Sequence, residues 1–407
     1  MYLKLAFRNI LRNKRRTIIT LAAISFGCAS LIINGGIIYF IFRGLREDAI
    51  HGRYGHIQIY KRGYNEKHLA EPLGYTLSNR ELEEIKASLS ALPHVEEVAP
   101  KLELSGLITY GGKNVSFLGV GVDAEKDARF STMVSVIQGE SLSAQEPYGV
   151  ILGKGLAARL EVQVGDFATL LTNTRDGDYN AVDVRIRGMF ESGSKEFDDW
   201  VMKIHLPKAQ ELLNSDQVQS VIVLLDRTEN TELVREQLLK TFATQDLDLE
   251  LTSWQQLALF YNQVVSMFGK ELDIVKVIIS IIVILSIVNS MTMSIYERTR
   301  EIGTIMAIGT LRRKVLRMFL LEGLILGLIG GTFGVITGIA IGSVISYVGI
   351  PMPPPPASTR SFIAQVDIIP SILLFSFSLS VASAVLASIY PAFRASRLRI
   401  VDALRHI

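Results

Sequence analysis

"YERTREIGTIMAIGTLRRKVLRMFLLEG", residues 296–323, follows one charge-free apolar run and leads into another. Glu297, Arg298, Arg300 and Glu301 put four charges into five residues. At a bilayer centre these would cost roughly 10 kcal/mol, at about 2.5–3.5 kcal/mol each. The segment therefore lies outside the lipid, and the runs on either side are separate spans. Within it, Ile302, Ile305, Met306 and Ile308 recur at helical spacing, with Gly303 and Gly309 near the ends. A second amphipathic helix is predicted after Thr310, with Leu311, Val315, Met318 and Phe319 facing one way and Arg312, Arg313 and Arg317 another. Composition leaves two uses for such a segment, an elbow lying on lipid headgroups or a docking helix for a partner protein.

Outward from this segment, charge-free runs occupy Ile18–Phe42, Val277–Tyr296, Gly323–Thr359 and Ile368–Phe393. About 20 apolar residues cross a hydrocarbon core of about 30 Å, so four spans are expected. The third ends near Val348, because Pro351 and Pro353–Pro356 cannot continue a helix. These runs explain a chain of 407 residues that is 49% apolar, with a mean hydropathy of +0.31. Over 200 polar residues separate the first two spans, enough for one or two folded domains. Cys28, the only cysteine, sits in the first span and reads as a small apolar filler, so the insert has no internal disulfide. Met1–Cys28 reads as an uncleaved span, since the apolar run continues past Cys28 and Phe26 spoils a lipoprotein cleavage site.

Cations set the expected orientation. Lys4, Arg8, Arg12, Lys14, Arg15 and Arg16 fill the N-terminal tail; Arg298, Arg300, Arg312, Arg313, Lys314 and Arg317 the opening segment; Arg394, Arg397, Arg399 and Arg405 the C-terminal tail. The loop between spans three and four has only Arg360 and Asp367. Cationic loops stay cytoplasmic, which puts both termini and residues 297–322 inside, and the insert and Pro-rich loop outside. Residues 43–276 carry a net charge of −10, which fits a solvated surface as well as it fits a cationic ligand site.

In the insert, "GHIQIY" (55–60) alternates as a strand and "SNRELEEIKASLSAL" (78–92) as a helix capped by Ser78 or Asn79. "VEEVAPKLELSGLITY" gives strands, and Gly111-Gly112 turns a hairpin into "NVSFLGVGV". "SVIVLLD", a helix at Thr228–Thr244 and "LDLELTS" repeat strand–helix–strand. Two such units flanking a Gly-marked β-rich segment at about 123–208 predict a split ferredoxin-like α+β domain with a nested subdomain. Tyr64, Pro72 and Leu73 fall in a loop with no assigned place. Catalytic chemistry finds no footing. "YGVILGKGL" (Gly149, Gly153, Lys154) has the wrong spacing for a phosphate loop and no Ser or Thr after its lysine. His51, His56, His68, His94, His205 and His406 form no metal motif, and His56 and His94 read as surface residues. Ser192 and Ser194 sit in a loop-like "ESGSKE", not a nucleophile elbow.

"ERTREIGTIMAIGTLRRKVLRMFLLEGLILGLIGGTFG" resembles the signature of the FtsX-like permease domain of the MacB, FtsX and LolC/LolE transporters, through Glu297, Arg298, Glu301, Ile302 and Gly303, then Ala307, Gly309 and Glu322. "LAFRNILRNKRRTIITLAAISFG", with Leu5, Ile10 and Leu11, is similar to that family's amphipathic N-terminal helix and first span. The closing "ASIYPAFRASRLRIVDALRH" matches at Pro391, Ala395, Val401, Asp402, Ala403 and Leu404, with Ile400 where a proline is common.

The resemblance implies four transmembrane α-helices plus a large α+β extracytoplasmic domain, a ferredoxin-like split porter with a nested β-rich sabre-like subdomain. The expected divisions are a basic helix at 1–17, spans at 18–43, 271–296 with a stalk at Glu271–Lys276, 323–348 and 368–393, the insert at 44–270, an external loop at 349–367 and a tail at 394–407. It further implies a non-catalytic permease subunit of an ABC transporter in the bacterial inner membrane. Its partners would be a cytosolic ABC ATPase dimer, a second permease subunit (identical or not), membrane lipids, and a periplasmic lipoprotein carrier or adaptor protein, with no nucleic acid. ATP and Mg would bind the partner ATPase, with no cofactor in this chain. Glu297, Arg298, Arg300, Glu301, Ile302, Gly303, Ile305, Met306, Ala307 and Gly309 would couple to that ATPase. Gly323, Gly327, Gly331, Gly334, Gly338 and Gly342 run at four-residue spacing, for packing within the bundle or a dimer seam. The implied work is mechanical release of a lipoprotein or other amphiphile from the outer leaflet. Alternatives are MacB-like drug or peptide efflux through an adaptor and outer-membrane channel, or FtsX-like regulation of a cell-wall hydrolase.

Overall fold

The computed structural model describes residues 12, 14–68, 70–71, 73–353, 361–400 and 403. The expected N-terminal helix up to residue 11, Pro72, Pro354–Pro356, Arg360, Val401, Asp402, Leu404, Arg405 and His406 lie outside the described residues. Two compact units divide the chain, one helical and one built from residues 43–263.

Among the described residues, four helices are long and apolar enough to cross a membrane: Lys14–Tyr54, Leu259–Glu297, Arg312–Val348 and Pro370–Ser396. Each outruns its charge-free core, because polar residues beyond the apolar run continue the backbone ladder. The second helix passes unbroken through 271–276, so the expected stalk is not a separate element. The third starts at Arg312, so much of the predicted opening segment is the first part of a span helix. In that part Val315, Met318 and Phe319 are buried as their spacing requires, but Leu311 is 64% exposed at the helix N-cap.

Small residues let these helices approach. A Cβ added at Gly327 would lie 2.9 Å from Ala384 Cβ and 3.1 Å from Val381 Cα of the last helix, and Gly323 and Gly331 meet that helix too. Gly334 and Gly338 face the first helix at Cys28 and Ile32, while Gly342 meets Val366. All six expected glycines therefore sit against residues of this same chain. Thr20 Oγ1 donates to Ser290 Oγ at 2.8 Å, tying the first helix to the second. Ile24, Ile287, Met291, Phe319 and Leu326 fill the space between.

The second unit is one sheet of ten strands: β1 (Ile57–Lys61), β2 (Val95–Tyr110), β3 (Lys113–Val122), β4 (Ser135–Gly139), β5 (Gly149–Gly153), β6 (Phe167–Asn173), β7 (Tyr179–Glu191), β8 (Val201–His205), β9 (Ser220–Leu225) and β10 (Leu249–Ser253). Their order is β10-β1-β9-β2-β3-β8-β5-β7-β4, with β6 paired to β2 and β7. The first four strands in that order pair antiparallel throughout, the arrangement of a split ferredoxin-like fold. Helices Asn79–Ser90 and Thr231–Thr244 cover it, burying Ile85, Leu89, Val234 and Leu238 on Ile57, Ile59 and Val223. Ser78 caps the first of these in a reciprocal capping box with Glu81. The second begins at Thr231 rather than Thr228, because residues 228–230 form a 3-10 turn.

The nested subdomain is larger than the expected 123–208. Its core runs from Leu102 to Leu213. The reason is β2, a single strand whose residues 95–101 pair with β9 and whose residues 102–110 pair with β3. Gly111 and Gly112 turn the hairpin with φ of 54° and 82°, the left-handed pair that a tight type I′ turn demands. His56, expected at the surface, is 1% exposed. Its Nδ1 accepts from Leu225 N–H at 3.0 Å and Nε2 lies 3.2 Å from Thr228 Oγ1, which settles a neutral ring. Burial lowers its pKa to about 4.

Candidate coupling site between spans two and three

Helix Thr299–Ala307 is short because it is pinched between breaks: Arg298 leaves helical geometry before it, and Gly309 follows with φ of 102°. Its residues divide cleanly by face. Thr299, Ile302, Gly303 and Met306 are buried. Ile302 and Met306 pack into the same core as Ile295, Phe319, Ala392 and Ala395. Arg300, Thr304 and Ala307 follow helical spacing on the opposite side and are exposed, as are Glu301 and, beyond the helix, Gly309 and Leu311, and Ile308 is 82% exposed. Ile305 is half-buried. The predicted apolar set is thus split: Ile302 and Met306 hold the helix to the bundle, while Ile308 and Leu311 stand outward.

Ion pairs fix this orientation. Arg298 is 4% exposed, with Nε donating to Glu301 Oε2 at 3.3 Å and Nη1 3.8 Å from Glu322 Oε2. Glu322, from the third helix, is 5% exposed, and neither Arg298 Nη1 nor Glu322 Oε2 has a hydrogen-bond partner. The two charges hold each other by Coulomb attraction in a dry place, where the effective dielectric is low and removing either leaves the other costly. Arg12 Nη1 reaches Glu301 Oε1 at 2.8 Å, and Arg16 of the first helix pairs with Glu297. The Arg12 hydrogen bond holds the Glu301 carboxyl below its ordinary range. Of the four opening charges, only Arg300 makes no ion pair among the described residues.

Sequence reasoning named Glu297, Arg298 and Glu301 but not their partners. A signal was present: Arg12 and Arg16 share the four-residue spacing of Glu297 and Glu301, so two helices could match charges in register. Nothing local pointed from Arg298 to Glu322. No side chain here has the donor set or nucleophile–base geometry of a catalytic centre; the arrangement braces one face of a helix and presents the other.

Two family descriptions match the chain. The description of a MacB-like periplasmic core domain matches residues 17–241, and that of an FtsX-like permease C-terminal domain matches residues 274–400. The chain is 23% identical to the lipoprotein-releasing system transmembrane protein LolE of Haemophilus influenzae, over 77% of this chain and 78% of LolE. An uncharacterised ABC transporter permease of Methanocaldococcus jannaschii is 23% identical over 98% of this chain and 96% of its own. Among solved structures, the extracellular domain of the ABC-type transporter YknZ from Gram-positive bacteria is similar over 48% of this chain and 99% of that domain, at 13% identity and a TM-score of 0.35.

Proposed function

Because the chain belongs to the family that joins a MacB-like periplasmic core domain to an FtsX-like permease domain, we propose that it turns nucleotide-driven motion of a separate ATPase into work on an amphiphile outside the cytoplasm. It is an ABC transporter permease of the LolC, LolE, MacB and FtsX type. The ATPase dimer grips the outward face of helix Thr299–Ala307, at Arg300, Thr304, Ala307 and Ile308. The buried face and the Arg298–Glu322 pair make that helix move with the second and third spans instead of swinging alone. A second permease subunit completes the transport unit. The substrate is a lipoprotein or similar acylated molecule drawn from the outer leaflet. Orientation follows the cation count: both termini and the coupling helix lie in the cytoplasm.

One observation carries the reading. A segment anchored through Ile302, Met306, the buried Arg298–Glu322 pair and two more exposed ion pairs still exposes Ile308 by 82% and Leu311 by 64%. Two large apolar side chains flanking a turn are a natural anchor for a partner groove. The test is co-purification with the ABC ATPase subunit after co-expression in membranes. Ile308→Asp and Leu311→Asp should lose the ATPase while the chain still inserts and elutes as folded protein. Unchanged capture in the double variant sinks the docking face, and a topology map placing Ile308 outside the cytoplasm sinks the orientation. Stimulation of that ATPase by a synthetic lipopeptide, and not by a macrolide, separates release from efflux.

A further inference from the structure

Where one side of a sheet faces solvent its side chains are ordinarily polar, and the nested sheet is mixed, antiparallel at β2–β3 and β2–β6 and parallel at β3–β8. The outer face of the nested sheet departs from that rule. Its inner face buries Leu104, Ile108, Phe117 and Leu170. On the opposite face, Leu107 stands between Ser116 of β3 and Leu171 of β6, and Leu118 stands between Ser105 of β2 and Val201 of β8. Leu107 is 39% exposed, Leu118 52% and neighbouring Trp200 39%. These side chains line an open groove of about 1320 Å³ within the insert. That is room enough for an extended ligand.

Charge at the groove has a slight cationic excess, against the acid excess of the insert as a whole. Residues 43–276 are strongly acidic, yet the lining holds Arg53, Lys101, Arg175 and Lys203 against Glu71, Glu103 and Asp127. Lys203 is paired to Asp127 at 2.8 Å and Lys101 to Glu103 at 2.6 Å, while Arg175 Nη1 donates to Gln217 Oε1 at 2.8 Å. Arg53 differs. Its guanidinium lies 4.6 Å from the Phe197 ring centroid, and its buried Nη2 has no hydrogen-bond partner. Phe197 and Trp200 share the short helix Lys195–Trp200, which leads directly into Val201 beside Leu118. The unpartnered cation and the exposed aliphatic floor are therefore two ends of one connected surface.

We propose that this groove binds a single acyl chain with an anionic head group, the chain along Leu107, Leu118, Leu171 and Trp200 and the head group at Arg53. The inference rests on the amphiphile reading above and adds where the insert holds its cargo. The probe is a hexadecanoate carrying a terminal diazirine, photolysed with the full chain in nanodiscs of zwitterionic lipid. Adducts are mapped by peptide mass spectrometry. Labelling should concentrate on peptides containing Leu107, Leu118 or Trp200. Arg53→Ala should lower it about tenfold, the loss of one charge-assisted hydrogen bond, and Arg53→Lys should retain most of it. Leu118→Glu, at an exposed position that leaves the core intact, should abolish it without altering elution volume. Adducts confined to the four span helices overturn the proposal, as does equal labelling by the uncharged methyl ester. ATPase capture is scored on the same preparations, so a groove that fails with capture intact condemns the groove alone.

Discussion

Removing Arg298 should damage the protein more than removing the residue it faces. Breaking a buried ion pair from one side costs about 3–5 kcal/mol, because a charge is left without its partner. The two sides are unequal here. After Glu322→Met, Arg298 keeps Glu301 at 3.3 Å. After Arg298→Met, Glu322 loses its ion pair, and its Oε2, which accepts no hydrogen bond, keeps none in its place among the described residues. The 3.8 Å separation makes the pair a Coulomb contact rather than a hydrogen bond, which puts Arg298→Met at the lower end of the range, and Glu322→Met below it because Arg298 keeps Glu301. Arg298→Met should therefore destabilise the helical unit by about 3 kcal/mol, and Glu322→Met by about 1–2 kcal/mol. The double variant replaces both charges with apolar side chains and should cost only about 1 kcal/mol, giving a coupling of about 3 kcal/mol in a double-mutant cycle. Thermal unfolding of the purified chain in nanodiscs, followed by helical circular dichroism because both tryptophans (Trp200 and Trp254) lie in the insert, reads all four proteins. Additive losses, or an Arg298→Met variant within about 0.5 kcal/mol of the parent, would show that the pair does not brace helix Thr299–Ala307.

Acid should weaken the insert through His56. Its pKa is about 4 in the fold and near 6.5 unfolded, so the unfolded chain takes up the proton first as pH falls. The stability of neutral His56 is whole above about pH 6.5 and falls toward pH 4, by about 3 kcal/mol in all; urea melts at stepped pH should show it, and His56→Gln should flatten the slope. Ser78→Ala removes one half of a capping box and should cost about 1 kcal/mol in the same melts. Gly327→Leu drives a side chain into Ala384 and Val381 and should strip the chain of its monodisperse elution in detergent, while Phe333→Leu, at an exposed position on the same helix, should not.

The four helices were legible because lipid demands uninterrupted apolar length, a local property. The hairpin at Gly111-Gly112 and the cap at Ser78 were equally local. Hidden were the facts that depend on partners distant in sequence. Glu322 faces Arg298 only once two helices have packed, and His56 becomes internal only when β9 supplies Leu225 N–H. The coupling segment was half readable: its period gave a helix, but periodicity could not tell that Ile302 and Met306 face the bundle while Ile308 faces away. The subdomain boundary was misplaced for a related reason. A strand that changes neighbours halfway along carries no mark in its alternation of buried and exposed residues.

That shared strand has a consequence for anyone cutting or grafting the insert. β2 hands its hydrogen bonds from β9 to β3 within a residue or two, so no slack linker separates the two cores. Excision at 123 and 208 would open a ladder and bare one side of each core; joints near residues 102 and 213 keep both closed. The two lobes are spliced by backbone, and they should melt in one cooperative transition instead of two.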